Sequence, residues 1–144
     1  EKKIGYVPQN IYLLDDSIRK NIAFGLSENE IDDNQINNAI KGANLEKFVD
    51  TLPQRLDTLV GERGTSLSAG QRQRLGIARA LYYNLEVIIF DEATSNLDTK
   101  NEDQILQLIS TLKGKKTILM ISHRKSAIKF CDVICHLDKG KIKY

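Results

Sequence analysis

Long hydrophobic runs are missing from this 144-residue chain; its longest apolar stretches are short, such as Val87 to Phe90. A membrane-spanning helix needs roughly 18 apolar residues or more, so none is expected within this sequence. The opening Glu1-Lys2-Lys3 leads straight into a strand and carries no secretory leader pattern. Cysteine is scarce. Cys131 and Cys135 stand four apart beside a single His136, which is neither a disulfide framework nor a zinc spacing. Reduced, structural thiols in a cytosolic setting are the expectation. Charge of one sign is also lacking, because 21 Lys and Arg residues are balanced by 19 Asp and Glu residues, well mixed along the chain. That excludes a nucleic-acid surface driven by bulk charge. Neither an internal repeat nor a low-complexity segment occurs. What remains is a chain of single-domain length, 41% hydrophobic, enough to bury a core.

The chain begins inside a strand, Ile4-Gly5-Tyr6-Val7, which Pro8 ends by removing an N–H donor and which leaves Gln9 on a loop. No capping or turn signal precedes that strand, so a cut through a larger domain is expected. Asp15-Asp16-Ser17 reads as a helix start for Ile18 to Phe24, ending at Gly25. Ser27 to Asn34 is polar and acidic, as an exposed connection would be. Helical spacing runs through Ile36, Ala39, Ile40 and Ala43, breaks near Asn44, and resumes at Leu45, Phe48, Val49 and Leu52 until Pro53. Residues 11–85 therefore predict a mostly helical block without strand alternation. Within it, Asp57 to Gly64 is a loop with two glycines and the charged pair Glu62-Arg63.

Leu67-Ser68-Ala69-Gly70-Gln71 starts the helix that organises the rest. Ser68 is a good N-cap, and Gln71 completes a Ser-x-x-Gln capping box. Leu75, Ile77, Ala78 and Leu81 mark its buried face. A helix start also offers unpaired N–H groups and positive dipole character to a phosphate, and Gly70 permits close approach. On these residues alone, mutual capping and a phosphate site both stand.

From Glu86 the character changes. Val87-Ile88-Ile89-Phe90 predicts a strand buried on both faces, with Asp91-Glu92 at its C-terminal end. Asp98 or Thr99 caps the next helix, Glu102 and Asp103 put acid in its first turn, and Ile105, Leu108, Ile109 and Leu112 are its buried face. Thr117 to Ile121 predicts a second buried strand, with Ser122-His123 at its end. A short helix around Lys125 to Phe130 leads to a strand at Val133 to Leu137, a turn at Asp138-Lys139-Gly140, and a last strand into Tyr144. This alternation predicts an α/β fold with a largely parallel sheet. Ligands bind such sheets at the carboxyl edge, where Asp91, Glu92 and His123 collect. Adjacent carboxylates there suit a division of labour, Asp91 holding Mg²⁺ through its water shell and Glu92 orienting or deprotonating a water.

Read in order, Gln9, Leu67 to Gln71, Val87 to Glu92, Ser95-Asn96-Leu97-Asp98 and His123 resemble five motifs of an ABC-type ATPase domain. These are the Q-loop, the signature motif, Walker B with its catalytic glutamate, the D-loop and the switch histidine. Ala69 stands where glycine is common, a small-for-small departure. The resemblance implies a P-loop NTPase-like fold with an inserted α-helical subdomain at residues 11–85, between a Q-loop strand at 1–10 and an α/β core at 86–144. It implies ATP and Mg²⁺ as ligands. Gln9 and Asp91 would serve the metal, Glu92 would be the general base, and His123 would bind the γ-phosphate. Ser68, Ala69, Gly70 and Gln71 would hold nucleotide carried by an opposing subunit, while Ser95 and Asp98 would contact that subunit. No Gly-x-x-x-x-Gly-Lys-Ser/Thr occurs, so the phosphate-cradling loop and the residue that stacks on adenine are expected upstream of Glu1. The fragment alone is then expected to be inactive.

Val60-Gly61-Glu62-Arg63-Gly64 resembles an exporter motif that touches transmembrane-domain loops, and Asp91 to Asp98 has the exporter form. Ribosome-acting ABC proteins usually carry proline at the place of Ala93, and chromosome-structure ATPases glutamate at that of Gln71. The resemblance implies a head-to-tail dimer of such domains, a transmembrane partner domain on the same or another chain, and a place at the cytoplasmic face of a bacterial inner membrane. No nucleic-acid partner is implied. Overall likeness to bacterial lipid or lipid-linked oligosaccharide flippases points to a lipid cargo, with a multidrug or peptide exporter, or a soluble ABC ATPase, as alternatives.

Overall fold

The computed structural model describes residues 4–62 and 65–143; Glu1 to Lys3, the Arg63-Gly64 half of the glycine-bearing loop, and Tyr144 lie outside them. Strand β1, Ile4–Val7, opens the described chain. The two-residue β2, Asp16–Ser17, runs into helix α1, Ile18–Ile22, whose N-cap Ser17 accepts the Lys20 N–H. The expected run to Phe24 stops two residues early, and Gly25 turns the chain with φ +87°. A 3-10 turn at Glu28–Glu30 and the Asp32 cap lead into α2, Asp33–Gly42. Asn44, at φ 53°, breaks the helix before α3, Glu46–Asp50. Strand β3, Leu59–Val60, pairs antiparallel with β2. The helical block thus contains a two-residue ribbon where none was expected, and part of the expected Asp57–Gly64 loop is strand. Here backbone pairing replaces side-chain alternation, which two residues are too few to display.

Helix α4, Ala69–Tyr82, follows its expected capping box: Ser68 Oγ accepts from Gln71 N at 3.2 Å and Gln71 Oε1 accepts from Ser68 N at 2.9 Å. Then come β4, Val87–Asp91, α5, Thr99–Ser110 with Asp98 as its N-cap, β5, Thr117–Ile121, and the single-turn α6, Lys125–Ile128. The three longer strands form one parallel sheet in the order β1-β4-β5, as the α/β expectation requires.

The sheet is covered on one face. Val7, Ile88 and Phe90 point into a core shared with Ile18 and Ile22 of α1, Ile36 of α2, Leu75 and Ile77 of α4, and Ile105 and Leu108 of α5. Residues of opposite parity, Ile4, Tyr6, Leu119 and Ile121, are exposed. The expectation that Val87–Phe90 is buried on both faces is therefore corrected to one buried face and one half-buried face, and the expected burial of Thr117–Ile121 fails at Leu119 and Ile121. Their continuous apolar runs reflect two apolar faces, but among the described residues the helices pack against only one.

The final element also differs. Of the expected Val133–Leu137 strand only His136 and Leu137 are extended; with Asp138, expected in the turn, they form β6, His136–Asp138, which pairs antiparallel with β7, Lys141–Lys143, in a sheet of its own. Lys139 and Gly140 both take positive φ, 48° and 74°, the geometry of a tight primed hairpin turn that returns the chain on itself. Cys135 is exposed, so the expectation of a structural thiol fails there.

Candidate functional site at the carboxyl edge of the sheet

Strand β4 ends in Asp91, and the next residue, Glu92, adopts a left-handed backbone with φ 49°. For a non-glycine residue this costs about 1–2 kcal/mol, and it persists because three hydrogen bonds fix the turn. Glu92 N donates to Ile121 O at 2.9 Å, extending the β4–β5 ladder by one bond. Ser95 closes the other side, donating from N at 3.0 Å and from Oγ at 2.8 Å to Glu92 O. The turn aims the carboxylate sideways at the end of β5. There His123 Nε2 lies 3.0 Å from Glu92 Oε1, with the histidine largely exposed and the glutamate partly sheltered. Asp91 receives a different partner, the Tyr6 hydroxyl, which donates to Oδ2 at 2.7 Å. That bond, followed by burial and the negative charge of Asp91, raises the Tyr6 pKa above its ordinary value.

Gln9 follows β1 and is exposed. Its Nε2 reaches Asn96 Oδ1 at 3.5 Å, and Asn96 Nδ2 donates to Asn10 Oδ1 at 3.0 Å. Gln9, Asn10, Ala69, Arg72, Ala93 and Asn96 line a common cavity of about 320 Å³. A larger cavity, about 740 Å³, lies between α2, α3 and the turn at Arg55–Asp57, away from the paired carboxylates.

Asp98 caps α5, accepting from Asn101 N at 3.0 Å and from Asn101 Nδ2 at 2.5 Å. These bonds, the side-chain one first, hold its carboxyl below the ordinary range. Asn101 also packs on Gly70: a Cβ built there would stand 2.7 Å from Asn101 Oδ1. Gly70 thus leaves room for the Asn101 side chain inside the chain, apart from any phosphate. Ser68 and Ala69 are exposed beside it, and no described residue accepts from the amides of Ala69 or Gly70.

The structure therefore brings Glu92 to His123, and Gln9 to the Asn96 loop. Among the described residues, no hydrogen bond or ion pair links Ser68, Ala69, Gly70 or Gln71 to Asp91, Glu92 or His123. Sequence reasoning missed Tyr6 and the pair Arg124–Glu102. Glu102 is only 5% exposed and pairs with Arg124 and Ser126. It had a legible signal, since it lies three residues before the buried Ile105 and so on the inward face of α5. Among the described residues no group of three His, Cys, Asp or Glu side chains is placed to hold a metal by itself.

The sequence profile of ABC transporters matches residues 1–95. The chain belongs to the ABC transporter family. The ATP-dependent lipid A-core flippase of Vibrio cholerae serotype O1 is 47% identical to this ABC chain over 136 residues, covering 94% of the chain and 23% of that protein. The protein of the same description from Haemophilus influenzae is 45% identical over 137 residues, 95% of this chain and 23% of its own length. Among solved structures, a bacterial Atm1-family ABC exporter with ATP bound superposes with a TM-score of 0.83 at 41% identity, covering 99% of this chain and 25% of that one. This ABC chain thus spans about a quarter of the length of the relatives it matches. No described helix is long and apolar enough to cross a membrane.

Proposed function

We propose that this chain supplies the general base, the switch histidine and one signature half-site of an ATP-hydrolysing domain that drives export or flipping of a lipid or lipid-linked glycan. The observation that carries the reading is the Glu92 Oε1–His123 Nε2 contact of 3.0 Å on a turn held in the left-handed region. In this reading Glu92 orients and deprotonates the attacking water, and His123 donates to the γ-phosphate as negative charge moves onto its oxygens. Asp91, with one oxygen engaged by Tyr6, has a carboxylate suited to a water-bridged cation, and Gln9 adds a neutral oxygen ligand on a loop. These two residues would hold Mg²⁺, which when bound neutralises phosphate charge.

Ser68, Ala69, Gly70 and Gln71 form the face that meets nucleotide held by a second copy of the domain, with Ser95 and Asp98 at the same junction. The exposed Ser68 and Ala69 at a helix start support this. Two domains then close head to tail, and loss of the γ-phosphate releases them. Residues 11–85 form the surface that couples closure to a transmembrane domain, around the sheet core of 1–10 and 86–144. The place of action is the cytoplasmic face of a bacterial inner membrane. The lipid cargo rests on relatives described as lipid A-core flippases. ATP turnover by the whole protein tests the reading: Glu92→Gln should keep nucleotide binding and lose turnover by about 10²-fold or more. Retained turnover would remove Glu92 from its role.

A further inference from the structure

The Ser95–Asp98 loop is gripped from three directions. Gln9 and Asn10 reach it through Asn96, Asn101 bonds Asp98 while packing on Gly70, and Arg124 reaches its carbonyls. The third grip is the most elaborate. Arg124 Nη2 donates to Ser95 O at 2.7 Å and to Leu97 O at 3.2 Å, while Nη1 is paired with Glu102 Oε2. Ser126 Oγ completes the arrangement by donating to Glu102 Oε1 at 2.6 Å. Both oxygens of a carboxylate that is almost wholly buried are thereby satisfied, which a charge removed from water requires. Arg124 follows His123 directly in the chain, and its own N–H is held by Ser122 Oγ at 3.0 Å.

We propose that Arg124 is a positioning residue for ATP turnover: its planar fork ties the His123 turn to the Ser95–Asp98 loop, so that the Glu92–His123 pair is formed only when that loop is in place. The fork is what makes this possible. A guanidinium presents donors in fixed directions to two carbonyls and one carboxylate at once, whereas an ammonium is a single point charge. The two ends of the clamp meet at the same glutamate, because Ser95 also closes the Glu92 turn through its Oγ. Displacement of the loop, which the proposed function places against a second subunit, would be transmitted to His123 through one side chain. This inference rests on that functional reading.

The test uses the whole protein. Arg124→Lys keeps the ion pair with Glu102 and removes the fork to Ser95 O and Leu97 O. The expected result is a fall in kcat for ATP of at least tenfold with KM changed less than twofold, and a thermal midpoint close to wild type. Hydrogen exchange at the amides of 95–98 and 122–126 should rise together. Because Arg124→Ala strands a buried carboxylate and can fail to fold, the second variant is Arg124→Met combined with Glu102→Gln, which removes both charges and should give the same kinetic split. Wild-type kcat in either folded variant, or a loss shared equally between kcat and KM, overturns the proposal. If the wild type itself turns over no ATP, the functional reading fails, and the paired rise in exchange still decides whether Arg124 ties the two segments; no paired rise overturns the clamp.

Discussion

The Tyr6 hydroxyl and Asp91 Oδ2, 85 residues apart in the chain, are joined by a 2.7 Å hydrogen bond across the β1–β4 pair. The parallel register sets Tyr6 opposite Ile89, so Tyr6 and Asp91 lie two residues apart on one face. Asp91 favours the protonated phenol, which raises the Tyr6 pKa. The sign follows: the bond's contribution is complete below the ordinary tyrosine value of about 10 and is lost as pH rises through the higher folded value. Alkaline titration of tyrosinate absorbance should show a late-titrating component that Tyr6→Phe removes. If the two titration curves superimpose at high pH apart from amplitude, the bond to Asp91 is not formed in solution.

Asp98 gives the opposite pH limb. Its carboxyl is held low by Asn101, so its contribution is present above the ordinary value of about pH 4 and is lost as pH falls through the depressed one. Asp98→Asn retains a good cap but has no proton to gain. Thermal midpoints followed downward from neutral pH should therefore fall further for the wild type than for Asp98→Asn. Asp98→Ala should be the less stable of the two variants at neutral pH. Equal acid limbs in wild type and Asp98→Asn would contradict this.

Gly70→Ala separates two reasons for a glycine. The added Cβ would stand 2.7 Å from Asn101 Oδ1, so Asn101 must turn away and its bond to Asp98 is strained or lost. The variant should lose part of the Asp98 acid limb even without nucleotide. A glycine needed only for close approach of phosphate would leave that limb intact.

These relationships show where the sequence was legible. Strand β1, the Ser68–Gln71 capping box and the Asp98 cap each depend on residues close together in the chain, and they stand where local chemistry put them. The Glu92–His123 pairing was legible as two strand ends on one sheet edge, because parallel neighbours deliver their C-termini together. What local pattern could not provide was the surroundings. Thr117 to Ile121 reads as a buried strand, yet Leu119 and Ile121 are exposed, since apolar character does not reveal whether a second layer covers it. The Tyr6–Asp91 bond needed the register between strands, and the Arg124–Glu102 pair needed the crossing of α5 past the His123 turn. The Val133–Leu137 strand shrank because pairing across the Lys139-Gly140 turn, and not propensity, decided its length.

Thr58 is a direct test of packing. It is buried, its backbone oxygen accepts from Ile18 N at 3.1 Å, and its Oγ1 has no hydrogen-bond partner among the described residues. A buried hydroxyl left unpaired costs about 1–3 kcal/mol, while valine has nearly the same shape without the polar atom. Thr58→Val should raise stability by about 1 kcal/mol, read as a higher urea midpoint with an unchanged slope. A lower midpoint would mean that the hydroxyl does find a partner in solution.

The 144-residue chain alone should bind ATP only weakly and hydrolyse none. Its carboxyl edge presents Asp91, Glu92 and His123, to which the proposed function assigns the attacking water, but a triphosphate needs a cradle of backbone amides and a lysine to offset its charge. No Gly-x-x-x-x-Gly-Lys pattern exists in the sequence to make one. Two carboxylates beside the site repel the phosphates further. The start of α4 offers the amides of Ala69 and Gly70, yet these are not joined to the Glu92–His123 pair by any hydrogen bond among the described residues. Calorimetric titration of the isolated chain with ATP and Mg²⁺ should give a Kd no tighter than about 1 mM, equivalent to about −4 kcal/mol. Micromolar affinity would mean that the signature half-site holds nucleotide without a partner, and the proposed two-subunit site would have to be redrawn.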